Sequence, residues 1–135
     1  MAILPNGAGG YQVGDGNLGE VTLGVSAIPT AYTAAATLTT ADLAGGLVVY
    51  TSSSTADLAL PAVTGTTGVD AAISSAKVNS SFEFALVATS TGVPTLTAGT
   101  GWTLVGSGAG VASKSVLFRA VKTSATTYNL YRIAG

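Results

Sequence analysis

The chain has 135 residues with no cysteine or histidine, and its six acidic and five basic side chains give a net charge of −1. Most metal sites need thiolate or imidazole ligands, and most catalysis near neutral pH needs a group that titrates there. The composition therefore argues against an enzyme and predicts no metal and no cofactor. The balanced charge argues against a nucleic-acid binder, and no apolar run is long enough to predict a membrane-spanning helix.

Hydrophobic residues make up 47% of the chain and charged residues only 8%. Monomeric proteins rarely expose large apolar patches, so a surface with this little charge is expected to be covered. The composition favours a structural or assembly role, in which copies of the chain or a larger partner cover the surface.

The first 22 residues differ from the rest because glycine is concentrated there. Six glycines fall within thirteen positions: Gly7, Gly9, Gly10, Gly14, Gly16 and Gly19. Such a segment cannot bury enough apolar area to order itself. The sequence therefore predicts an extended N-terminal arm over residues 1–22, which orders against another surface, and a β-rich domain over residues 23–135.

Runs of apolar and β-branched residues predict strands in the first half of the chain. The predicted strands cover residues 21–25, 33–38, 47–51 and 56–60, and Pro61 ends the last of them. Residues 39–46 predict a single capped turn that closes on glycine.

One short helix is predicted near the middle of the chain. Thr66 or Thr67 can cap it, and Asp70 falls in its first turn. The apolar residues with helical spacing are Val69, Ala72, Ile73 and Ala76.

The second half is dominated by strand signals. In residues 82–88, Phe82, Phe84 and Leu86 project to one face and predict the densest part of the core. Further strands are predicted at residues 94–98, 102–105, 115–121 and 127–133. Short strands separated by turns predict an all-β protein, an antiparallel β-sandwich or barrel with one short helix.

Several of these strands are apolar on both faces. Leu117 and Val121 alternate with Val116 and Phe118. In an antiparallel sheet this pattern implies a second covered side, which again indicates subunit contact.

Two patterns in the arm suggest ligand sites. Residues 14–19 match GxGxxG, and Asp42 follows at a distance typical of a ribose-binding acid. However, no predicted strand precedes the glycines and no helix follows them, as a dinucleotide site requires. Asp15, Asn17 and Glu20 could bind calcium through oxygen, but they lack EF-hand spacing. Turn formation is the favoured interpretation of both patterns.

The acidic residues of the domain suggest a glycosidase-like carboxylate pair as an alternative. The candidates are Asp42, Asp57, Asp70 and Glu83. A turn explains Asp42 better, and a helix N-terminus explains Asp70 better. Glu83 lies on a strand, and Arg119 and Arg132 lie on later strands, so a cross-strand or intersubunit ion pair is the favoured interpretation.

The aromatic residues near the C-terminus allow two interpretations. Trp102, Tyr128 and Tyr131 could form a stacking platform for a sugar. Trp102 alternates with Leu104, however, and an aromatic residue at that spacing favours packing in the core or at an interface.

Several segments together resemble the small capsid decoration (cement) proteins of tailed bacteriophages, especially cyanophages. The opening segment is LPNGAGGYQVGDGNLGE at residues 4–20, and the body contributes LTTADLAGG at 38–46, LP at 60–61, GTGWTLVG at 99–106, FR at 118–119 and YNLYRI at 128–133. A body of this kind also resembles phage head-fibre proteins. The alternative is therefore a head-fibre or receptor-binding module that contacts host glycan through Trp102.

The resemblance implies a jelly-roll-like β-sandwich that forms homotrimers. These trimers would cap threefold or quasi-threefold junctions on the outer surface of a mature head, with the major capsid protein as partner. For the arm, the predicted capsid or intersubunit contacts are Leu4, Pro5, Tyr11, Gln12, Asp15, Asn17 and Leu18. For the domain, the predicted trimer or ion-pair residues are Glu83, Arg119, Arg132 and Trp102.

Overall fold

The computed structural model describes residues 27–135, so the predicted arm and the predicted strand at residues 21–25 lie outside it. The described elements, in chain order, are β1 (Ala36–Thr37), α1 (Thr40–Ala44), β2 (Leu47–Tyr50), β3 (Ala56–Ala59), α2 (Val69–Ala72), β4 (Ser81–Ala88), β5 (Pro94–Thr97), β6 (Trp102–Val105), β7 (Ser115–Ser124) and β8 (Thr127–Ala134). The predicted predominance of β-structure is confirmed.

The strands form two sheets. The small sheet has the order β1-β3-β5, and the large sheet has the order β2-β4-β7-β8-β6. All pairs in the small sheet are parallel, and so are the two outermost pairs of the large sheet, β2 with β4 and β6 with β8. Only the pairs β4–β7 and β7–β8 are antiparallel. The two sheets are consistent with the predicted sandwich, but the predicted antiparallel pairing is wrong, because the pairing is mixed.

The parallel pairs of β2 with β4 and of β3 with β5 arise because the chain alternates between the two sheets. Each strand therefore returns beside the previous strand of its own sheet and runs in the same direction. The β2–β3 segment stacks on the β4–β5 segment with one constant shift, which pairs Leu47 with Ala85 and Leu58 with Leu96. The connecting turns follow the same shift, since the hydroxyls of Thr51 and Thr89, 38 residues apart, lie 2.7 Å from each other. A Cβ at Gly92 would lie 2.2 Å from the Ser54 carbonyl oxygen, so this stacking of turns requires glycine.

The β7–β8 hairpin follows these alternating strands in the chain and supplies the antiparallel part of the large sheet. It lies between β4 and β6. Two further segments pair with edge strands of the sheets. Tyr32 forms a parallel bridge to Tyr50 of β2, and Ala109 forms an antiparallel bridge to Thr95 of β5.

A single core fills the space between the sheets. The small sheet contributes Leu58 and Leu96, and the large sheet contributes Phe84, Leu86 and Phe118, among others. The rings of Phe84 and Phe118 stack with centroids 5.7 Å apart. Phe84 and Leu86 are fully buried as predicted, whereas Phe82 is half-buried and packs against the edge of the cluster.

Two helices are present in the described chain where one was predicted. The predicted turn at residues 39–46 contains α1, because Thr39 and Asp42 form a reciprocal capping box that stabilises the first turn. The N-cap of α2 is Gly68, not Thr66 or Thr67. A Cβ at Gly68 would lie 2.5 Å from the Thr64 carbonyl oxygen, so the backbone approach at this helix start requires glycine.

Candidate interaction surface

The outer face of the large sheet is the side turned away from the core. Most inward residues of β4 and β7 are buried, whereas the alternating outward residues are half-buried or exposed. About half of the outward side chains are apolar: Leu47, Val49, Ala85, Val87, Val105, Leu117, Val121 and Tyr131. Leu117 and Val121, the residues from which a second apolar side was predicted, both lie half-buried on this face.

Glu83 and Arg119 form an ion pair on this outer face. They are direct cross-strand partners on β4 and β7, and Arg119 Nε donates to Glu83 Oε2 at 2.7 Å. Arg119 Nη2 donates to the same oxygen. The two side chains are 48% and 41% exposed, so water screens the pair. Of the two uses predicted for Glu83, the structure shows the cross-strand one.

Arg132 does not join this pair. Its Nη1 donates to the Ala109 carbonyl, and its Nη2 donates to the Gly135 carbonyl at 2.8 Å. Arg132 pairs with Phe118 in the β7–β8 ladder, just before a register shift. Its guanidinium therefore connects β8 to the segment around Ala109, which bridges to β5 of the small sheet.

Trp102 lies in the core and not on a contact surface. It is 6% exposed, its Nε1 donates to the Pro61 carbonyl at 2.7 Å, and its ring lies 5.3 Å from the Tyr128 ring. Because Trp102 is buried, the predictions that it contacts another subunit or stacks on a sugar are wrong.

Sequence reasoning missed a buried cluster on the inner face. Lys122 Nζ donates to Asp70 Oδ1 at 2.5 Å and lies 4.9 Å from the centre of the Tyr128 ring. The Lys122 side chain is only 6% exposed, and that of Asp70 is 28% exposed. Burial raises the pKa of Tyr128, an effect that Lys122 opposes and Asp70 reinforces.

This cluster joins α2 to the large sheet. Asp70 is in the first turn of α2, and Lys122 is in β7. The Tyr128 hydroxyl is buried and has no hydrogen-bond partner within residues 27–135. The sequence contains a signal for Lys122, because the inward alternation of Val116, Phe118 and Ala120 continues to position 122.

The other acidic residues are dispersed. The Asp42 carboxylate accepts hydrogen bonds from the Thr39 N–H at 2.9 Å and from the Tyr32 hydroxyl at 2.6 Å. Burial, followed by the hydrogen bond to Asp42 and its charge, raises the pKa of Tyr32 to about 12. Asp57 is exposed on β3 of the small sheet. Asp42, Asp70 and Glu83 thus each have a different partner.

A groove near the two helices is neutral. A groove of about 680 Å³ is lined by five threonines together with Leu38, Pro61, Gly68 and three alanines. None of these lining residues is titratable, so the groove holds no acid–base pair.

Several predicted site residues lie outside the described residues. These are Leu4, Pro5, Tyr11, Gln12, Asp15, Asn17 and Leu18, together with the GxGxxG match at 14–19. Across residues 27–135, no three acidic, histidine or cysteine side chains cluster as metal ligands do. Over the same residues, no helix has both the length and the hydropathy to cross a membrane.

Comparison with known proteins gives no family assignment. A scan against protein-family models found no match to this chain, and searches of curated proteins and of solved structures found none either.

Proposed function

We propose that this chain is a structural virion protein, a homotrimeric decoration (cement) protein of a tailed bacteriophage. It binds the outer surface of the mature head at threefold or quasi-threefold junctions, with the major capsid protein as partner, and stabilises the shell. The resemblance of residues 4–20 and of the body segments to such proteins supports this proposal.

The observation that carries the proposal is that most charged side chains of the domain have partners within the domain, whereas apolar side chains lie on the outer face. Six of the charged side chains in the domain have partners within it: Asp42, Asp70, Glu83, Arg119, Lys122 and Arg132. On the outer face, apolar side chains such as Leu117 and Val121 lie beside the neutral Glu83–Arg119 pair. Such a surface supports a role in assembly, because apolar area gains free energy when a partner covers it.

A protein of this kind stabilises a shell without chemistry. A ligand that binds only the assembled state shifts the equilibrium toward it, by about 2.7 kcal/mol when its free concentration is 100 times Kd. A trimer that touches several capsomers at once gains further through effective concentration. Modest contacts by each copy are therefore sufficient.

The alternative function, a head-fibre or receptor-binding module for host glycan, depended on Trp102 as an exposed stacking residue. Since Trp102 is buried, no feature of the described domain favours this alternative.

The proposal is tested by adding the purified protein to phage heads prepared without it. We expect the protein to sediment with the heads and to raise the temperature at which they release DNA. A variant that lacks residues 2–20 is expected to lose binding while its circular dichroism spectrum still shows a folded β-domain. If full-length protein changes neither the mass nor the heat resistance of the heads, the proposed function is wrong.

A further inference from the structure

We infer that the predicted strand at residues 21–25 adds to the open edge of β2 and extends the large sheet by one strand. The part of the chain that precedes this strand then begins beside α1 and β2. Three features support the added strand: the backbone groups of β2, a cavity beside them, and the place where the chain enters the described domain.

The outward backbone groups of β2 are only partly paired. β2 is the terminal strand of the large sheet, and the Gly46 and Tyr50 carbonyls accept hydrogen bonds from the β4 side. Alternate residues of a strand direct their backbone groups to opposite neighbours, so Leu47 and Val49 direct theirs away from β4. Tyr32 donates to the Val49 carbonyl at 2.9 Å, but within the part of the chain that the structure describes the N–H groups of Leu47 and Val49 have no acceptor. Such groups pair readily with a further strand.

A cavity of about 240 Å³ lies beside this edge. Its lining combines Leu47 of β2, Ala41 of α1 and residues 27–30, so it lies between the entering chain and the start of β2. Ile28 in this entering segment is 94% exposed. Covering a large apolar side chain of this kind gains free energy. The edge therefore offers apolar contacts as well as backbone groups to an added strand.

The position and chemistry of residues 21–25 suit this edge. Val25 precedes Ala27 by two residues, so their Cα atoms lie within about 7 Å of each other, and Ala27 lines the cavity. The segment has no charged side chain, and Val21, Leu23 and Val25 fall on one face of an extended strand. This face can cover the cavity while the backbone pairs with β2.

The covalent link favours this segment over a separate partner. A second copy or a head protein loses translational and rotational freedom when it binds, whereas a tethered strand has already lost most of it. A short contact is therefore sufficient. Five residues at about 3.3 Å each span roughly 16 Å, which is enough to cover the four residues of β2.

Amide hydrogen exchange, measured by NMR on the full-length protein, tests the inference. The amides of Leu47 and Val49 face the open edge, whereas those of Val48 and Tyr50 face β4 and serve as the control on the same strand. We expect slow exchange at all four amides. Deletion of residues 2–25 is expected to speed exchange at Leu47 and Val49 by on the order of 100-fold and to leave the two control amides unchanged.

Three further variants keep the test decisive if that deletion unfolds β2 as a whole. A protein that lacks only residues 2–20 retains the strand and is expected to keep slow exchange at Leu47 and Val49. Leu23→Asp places a charge on the face that covers the cavity and is expected to speed exchange at both amides. Thr22→Asp places the same charge on the opposite face and is expected to leave exchange unchanged.

The inference is overturned if the Leu47 and Val49 amides exchange rapidly in the full-length protein, or if Leu23→Asp and Thr22→Asp have equal effects. Protection that rises with protein concentration would assign the edge to a second copy, and protection that requires added heads would assign it to a head protein. Either result overturns the inference.

These results are separable from those of the head-binding experiment. Slow exchange in a protein that ignores heads would support the added strand and remove the proposed function. Rapid exchange in a protein that binds and stabilises heads would do the reverse.

Discussion

The two faces of the large sheet each hold one ion pair, and strand β7 supplies the cation for both. Arg119 points outward and Lys122 points inward, because residues an odd number apart lie on opposite sides of a strand. Arg119 and its partner Glu83 are both about half exposed, whereas Lys122 is almost fully buried against Asp70. The same pair of charges thus occurs in two very different dielectric environments.

The comparison shows that the inner pair and the outer pair have different roles. A buried charge loses its hydration, so removing its partner leaves an uncompensated charge and costs several kcal/mol. An exposed pair exchanges one well-solvated arrangement for another and contributes about 0–1 kcal/mol. The inner pair therefore fixes α2 on the sheet, while the outer pair mainly sets the charge of the outer face.

The largest expected effect concerns the inner face at Trp102. Trp102→Ala removes a large buried ring and leaves the Pro61 carbonyl without its indole donor. We expect the free energy of unfolding in urea to fall by about 4 kcal/mol. The neighbouring outward substitution Thr103→Ala is the control and should change it by less than about 0.5 kcal/mol. Equal effects at positions 102 and 103 would contradict the assignment of inner and outer faces.

The next largest effect concerns the inner ion pair. Asp70→Ala leaves the buried ammonium of Lys122 without its carboxylate, and we expect a loss of about 3 kcal/mol in the free energy of unfolding. Adding Lys122→Met removes the stranded charge and should recover much of that loss. Urea denaturation of the two single variants and the double variant measures the coupling. Strictly additive losses would show that the pair does not couple α2 to β7.

Much of the local structure of this chain could be predicted from sequence. The predicted strand at residues 102–105 coincides with β6, and the prediction at 127–133 stops one residue before the end of β8. Alternation of apolar residues is a local signal, so it locates strands and their buried faces well. The same signal extended to position 122 would have found the buried lysine.

The strand partners could not be predicted in the same way. The parallel pairs β2–β4 and β3–β5 depend on the stacking of two segments with low similarity, such as Leu47–Tyr50 on Ala85–Ala88. The hydrogen bond from Trp102 to Pro61 likewise joins residues 41 positions apart. Such contacts are set by the packing of the whole domain and leave little local trace in the sequence.

A smaller effect on the free energy of unfolding is expected at Tyr32, which bridges to β2 at the edge of the large sheet. In the folded state the pKa of Tyr32 is raised to about 12, whereas an unperturbed tyrosine has a pKa of 10.0. Its contribution to stability is therefore fully present below pH 10 and is lost as the pH rises toward 12. Tyr32→Phe should cost about 1 kcal/mol at pH 7, from the lost hydrogen bond to Asp42. Urea titrations at pH 8 and pH 11 should show a smaller difference between the two proteins at the higher pH.

The smallest effect is expected at the outer pair. Glu83→Gln removes one exposed charge but keeps the shape of the side chain, so the free energy of unfolding should change by less than about 1 kcal/mol. Low protein concentration keeps assembly from contributing to the measurement, and 1 M salt should remove most of the remaining difference because its screening length is only about 3 Å. A loss as large as that of Asp70→Ala, unchanged by salt, would mean that the outer pair is as structural as the inner one. The outer face would then be a part of the folded core rather than a surface left open for a partner.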